Sequence, residues 1–145
     1  MESALDEIPA RLAEEIALRA YEDKYIDRNE EREILQIAIQ LGVRLETARS
    51  TLAEVCEREG HVLESKAVKI LAERLSTKLE SVGPLDAAAF SHWFEEAKAM
   101  LRGKRTDRET KILLVQLLEE NGPPRVKTGW FRNWYAAMKR ELGLA

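Results

Sequence analysis

Apolar residues recur three and four positions apart along most of the chain, the spacing that lines one face of an α-helix. Seven helices are predicted on that basis, and no strand. Pro9, at a first-turn position, opens the first, with Ile8, Leu12, Ile16 and Ala20 on one face. Asp27 caps the second through a capping box with Glu30, and Ile34, Ile37, Ala38 and Leu41 form its stripe before Gly42 stops it. A third helix, from about Glu46 to Glu59, buries Ala48, Leu52, Val55 and Cys56. A fourth, from about Glu64 to Leu79, presents Ala67, Val68, Leu71 and Leu75.

Val82-Gly83-Pro84 is the clearest break and suggests a four-helix portion over residues 1–82 and a three-helix portion over 83–145, sharing one core or not. The fifth helix, Asp86 to Arg102, carries Phe90, Trp93, Phe94, Ala97 and Leu101. A second capping box, Thr106 to Glu109, starts the sixth, which runs through Ile112, Leu113, Val115, Leu117 and Leu118 to Gly122. Pro123-Pro124 forbids continuation. The last helix, from about Thr128 to Leu142, aligns Trp130, Trp134 and Met138 on one stripe. Short connections between such helices give an all-α bundle.

Composition narrows the class. The 145 residues are 45% hydrophobic and 34% charged, a balance that favours a folded chain over a disordered one. The single cysteine excludes an internal disulfide, no apolar run reaches membrane-spanning length, and the first residues are acidic where a signal peptide is basic. A cytoplasmic protein is the expectation. The net charge of −3 conceals an asymmetry: residues 1–100 hold 21 acidic and 13 basic side chains, residues 101–145 hold 5 and 10. That polarity favours an anionic partner for the tail, or the acidic body of another copy.

Asp23, Asp27, Glu30 and Glu31 gather around the second helix start. Capping and the positive helix end account for carboxylates there. A site for calcium or magnesium is the alternative, since hard cations want several oxygen ligands from one loop. An EF-hand loop is excluded, because neither Asp23 nor Asp27 as first ligand places a glycine at position six.

The pattern Ala20-x-x-Asp23-x-x-Ile26-Asp27-x-x-Glu30, followed by Ile34, Ile37-Ala38 and Leu41-Gly42, resembles the signature of TerB-like tellurite-resistance domains over about residues 8–60. The resemblance implies an all-helical stress-response module, cytoplasmic or membrane-peripheral, with divalent cations at acidic turns. Lys24 stands where that family carries glycine, and an ammonium there opposes a cation. The second acidic turn common in the family has no faithful copy, Thr106-Asp107-Arg108-Glu109 being the nearest. Any cation is therefore expected to bind weakly.

The tail, residues 122–143, packs Trp130, Phe131, Trp134 and Tyr135 among Arg125, Lys127, Arg132, Lys139 and Arg140. Three uses fit this composition. The aromatics can be core, packed on Phe90, Trp93 and Phe94. Cations and rings can contact phosphates and bases, although the connection before the last helix is longer than the 3–4 residues of a helix-turn-helix. An aromatic face with arginines can also dock a protein. The exposure of Trp130 and Trp134 separates the first use from the others.

Catalytic patterns are absent: no phosphate loop, no H-E-x-x-H, no paired cysteines, and His61 and His92 in unrelated contexts. Cys56 falls on an apolar stripe, where a thiol is a small hydrophobe. The expectation is a non-enzymatic helical binding module that engages a protein partner. The alternative is a small DNA-binding protein acting through residues 122–143.

Overall fold

The capping box expected at Asp27 is present in the computed structural model, which describes residues 4–19 and 24–144, with side chains from residue 10 onward. The Asp27 carboxylate accepts from the Glu30 amide at 2.8 Å, and Glu30 accepts from the Asp27 amide at 3.2 Å. Among the described residues the elements run α1 (Ala4–Arg19), β1 (Tyr25–Ile26), α2 (Arg28–Gln40), α3 (Leu45–Glu59), β2 (Val62–Leu63), α4 (Glu64–Ser81), α5 (Ala87–Met100), α6 (Asp107–Glu119) and α7 (Trp134–Glu141). The fold is all-α, with one minute sheet.

Two compact units divide the chain, residues 1–66 and 67–145, so the boundary falls inside α4 and ahead of the Val82-Pro84 break. In the first unit, Leu12, Ile16, Ile34, Ala38, Ala48, Leu52, Val55 and Cys56 form the core, with Ile26 and Leu63 from the two strands. The predicted stripe of α3 is buried in full. On α2 only Ile34 and Ala38 are fully buried; Ile37 and Leu41 lie at the margin. Each large aliphatic side chain so buried contributes about 1.5–3 kcal/mol relative to exposure. Burial also pushes the Cys56 thiol up to about 11, with the Glu31 carboxylate reinforcing the shift and the Lys66 ammonium opposing it. The thiol stays protonated at neutral pH.

The second unit is built on Trp93. Its side chain is fully buried, its indole N–H donates to the Leu71 carbonyl at 3.1 Å, and the Phe90 ring meets it edge-on at 6.1 Å. Leu71, Leu75, Phe94, Ala97, Leu114, Val115 and Leu118 complete the interior from α4, α5 and α6, and Tyr135 and Leu142 anchor α7.

Three features depart from the sequence expectation. α1 begins at Ala4 and runs through Pro9, at the loss of the one hydrogen bond that proline cannot donate. Ile8, as a side chain, and Ala20 and Asp23 lie outside the described residues. β1 and β2 pair in parallel, Tyr25 opposite Val62 and Ile26 opposite Leu63. Two residues per strand are too few to show an alternation, so periodicity could not reveal them. The pairing also exposes a repeat of order: α1-β1-α2 is followed by α3-β2-α4. The buried Glu64 at the start of α4 accepts from the Tyr25 hydroxyl, and Ser65 donates to Glu31 at 3.0 Å, which ties the two turns together. Finally, α7 starts at Trp134, well after Thr128.

Lys24 enters β1 with φ +55°, and its carbonyl accepts from the Val62 amide at 2.8 Å. A left-handed residue other than glycine costs about 1–2 kcal/mol, and glycine's extra freedom in the unfolded chain returns about 0.5–1 kcal/mol of that. Lys24→Gly is accordingly expected to stabilise the protein by about 0.5–1 kcal/mol in urea unfolding. A destabilised variant would show that the turn is not held in this conformation.

Candidate functional site

Residues 121–140 contain five basic and no acidic side chains. The segment leaves α6, turns at Gly122-Pro123-Pro124 and meets Leu85 in a parallel bridge at Val126. The Leu85 amide donates to the Arg125 carbonyl at 3.0 Å, and the Lys127 amide donates to the Leu85 carbonyl at 2.7 Å. The Trp134 indole then donates to the Lys127 carbonyl at 2.9 Å, while the Asn133 side chain caps α7 by accepting from the Ala136 amide at 2.9 Å. Residues 128–133 are thus a short irregular span between an extended anchor and a capped helix.

This span corrects the aromatic stripe. Trp134 does pack toward the core, half-buried with its ring 5.4 Å from that of Phe90, and Met138 lies against the same cluster. Trp130 does not. It is 93% exposed, and Phe131 beside it is 95% exposed, their rings 6.4 Å apart. The two are the most exposed large hydrophobic side chains among the described residues. Sequence periodicity placed Trp130 and Trp134 on one helical face and gave Phe131 no separate role. Asn133, a good cap residue ahead of Trp134, was the signal that the helix begins later.

The basic residues fall into two groups. Lys139 is engaged: its ammonium reaches the Glu119 carboxylate at 2.7 Å, and the Tyr135 hydroxyl donates to the same oxygen at 2.6 Å. These hydrogen bonds, first from Lys139 and then from Tyr135, hold the Glu119 carboxyl below its ordinary value; burial and the same contact push the Tyr135 hydroxyl up. This trio fastens α7 to α6. Arg125, Lys127, Arg132 and Arg140 are exposed, and among the described residues no carboxylate pairs with Arg125, Lys127 or Arg132. Arg125 also lines a cavity of about 180 Å³ with Leu75, Leu79, Leu117, Leu118 and Pro123 and the polar Ser76, Glu120 and Asn121.

At the acidic turn, Asp27 and Glu30 are occupied with each other's backbone amides and Glu31 with Ser65. Asp23 lies outside the described residues. Among the described residues no group of three or more His, Cys, Asp or Glu side chains is arranged to hold a metal ion, and the three carboxylates described at the turn serve the cap and the Ser65 bond. His92 is exposed on α5 near Glu96, and the Nδ1 atom of His61 is buried without a hydrogen-bond partner.

The fold and this segment define an all-helical protein with a preorganised, cationic aromatic loop before its last helix. No described helix is long and apolar enough to cross a membrane. Comparison with family models, curated proteins and solved structures finds no match.

The Glu119 contact has a pH signature. A carboxyl held below its ordinary value in the folded state contributes stability that is present above the unfolded value, about 4.3, and is lost as pH falls through the folded value. Glu119→Gln is expected to lower stability at pH 7 and to flatten its decline below about pH 4.3. Parallel acid-unfolding curves for the two proteins would contradict that role.

Proposed function

We propose that this protein is a non-enzymatic binding module that engages a protein partner through the loop carrying Trp130 and Phe131. The carrying observation is the near-complete exposure of two adjacent aromatic side chains on a segment whose backbone is fixed at both ends. Leaving two large rings in water forgoes about 1.5–3 kcal/mol each, a cost that a docking surface recovers when occupied. Tryptophan and arginine dominate the energetic centres of protein interfaces, and both are here. Fixing the backbone beforehand lowers the entropy lost on association.

The DNA-binding alternative rests on Arg125, Lys127, Arg132 and Arg140, with Trp130 free to stack. Against it, Lys139 is already committed to Glu119, and the chain as a whole is negative. Three or four phosphate contacts give only a modest salt-dependent affinity. The TerB-like resemblance and a role in stress response remain part of the proposal, supported by the capped acidic turn at Asp27; a divalent cation there is secondary.

Affinity capture on the full chain, beside Trp130→Ala/Phe131→Ala, is the test. The wild type is expected to retain a protein that the double variant loses, with nuclease treatment making no difference. Identical captured sets, or retention abolished by nuclease, would contradict the reading.

A further inference from the structure

The loop's own chemistry specifies more than "a protein", and resting on the reading above, it selects among partners. Residues 121–140 carry charge of a single sign. Lys139 is neutralised by Glu119, whereas Arg125, Lys127 and Arg132 stand exposed on the same span as Trp130 and Phe131. The Arg125 cavity adds a recess that is apolar on its Leu75, Leu79, Leu117 and Leu118 side and polar at Ser76, Glu120, Asn121 and Arg125. At about 180 Å³ it has the volume for one large side chain. Glu120 lines it together with Arg125, so the cavity alone has no preference of sign; the preference comes from the cations that follow it.

Three anionic occupants suit cations with exposed rings: a nucleic-acid strand, an anionic lipid surface and an acidic stretch of protein. The first two are extended sheets or lines of negative charge and meet the field of the whole molecule. The net charge of the whole chain, −3, opposes their long-range approach. A short acidic segment meets only the local field, since charges beyond about 8–10 Å are screened at physiological salt.

We infer that residues 121–132 are a docking site for an acidic segment of a partner protein. One large apolar side chain of that segment enters the cavity beside Arg125, its carboxylates meet Arg125, Lys127 and Arg132, and Trp130 and Phe131 pack on its length. The cations set recognition and salt dependence, and the rings supply most of the affinity.

The test is a fluorescence titration of the full chain with a synthetic peptide of repeated Asp-Glu-Leu-Phe units, with the same peptide carrying Asn and Gln instead of Asp and Glu, with oligo(dT), and with phosphatidylcholine vesicles containing phosphatidylserine. The acidic peptide is expected to bind saturably and shift tryptophan emission to the blue. Trp130→Ala, a surface change that leaves the core intact, should weaken it roughly thirty-fold. Arg132→Glu should weaken binding and flatten its salt dependence, because Arg125 and Lys127 are then opposed by one carboxylate. Leu117→Arg, which fills the cavity, should abolish binding while circular dichroism shows whether the fold survives; if it does not, the Trp130 and Arg132 variants decide. Equal binding of the amide peptide, or no binding of the acidic one, overturns the inference, and if affinity capture still depends on Trp130 the protein-partner reading stands without it. Tighter Trp130-dependent binding of oligo(dT) or vesicles overturns both.

Discussion

Two hydrogen bonds on one buried residue determine what the C-terminal region can do. Leu85 donates to Arg125 and accepts from Lys127, which commits residues 125–127 to extended chain. An extended anchor cannot be the first turn of a helix. The chain must then cross to α7 within a few residues, and Asn133 caps that helix when it arrives. The side chains on the crossing have no interior to face. Trp130 and Phe131 are therefore exposed by backbone constraint, while Trp134, one residue beyond the cap, is drawn back by its indole hydrogen bond to Lys127 and by Phe90.

Where local signals agree, the fold could be read directly. α2 and α6 have capping boxes, α3 and α4 have clean stripes, and α5 has an Asp86 cap followed by Phe90, Trp93 and Phe94. Propensity, pattern and cap chemistry point the same way in each. At the tail they conflict. A four-residue spacing links Trp130, Trp134 and Met138 into a plausible stripe, while Gly129 and Asn133 argue for a later start, and the contact with Leu85 that settles the conflict is non-local. The same limit hid the bond between Lys139 and Glu119, which removes one expected contact residue from the binding surface. Lys24 was hidden for another reason: its positive φ is imposed by the turn and the Val62 pairing, and lysine announces no such conformation.

The acidic and basic ends of the chain turn out to be different kinds of surface. At the acidic turn, three of the expected carboxylates are used locally, in the cap of α2 and in the bond from Ser65, so their charge is spent on building the fold. On the C-terminal loop the cations that follow the Leu85 bridge have no such duty. A charge without a structural partner beside a ring without a core is the combination from which the docking reading is built. It could not be weighed from composition alone, because composition does not distinguish Lys139 from Lys127.

Amide hydrogen exchange across residues 121–141 tests the Leu85 constraint most directly. The account predicts slow exchange at Leu85 and Lys127, slow exchange in α7 from Ala137 onward, and fast exchange at Gly129, Trp130, Phe131 and Arg132 between them. Continuous protection from Thr128 into α7, with Lys127 exchanging freely, would mean that the helix begins early and that Trp130 belongs to its packed face.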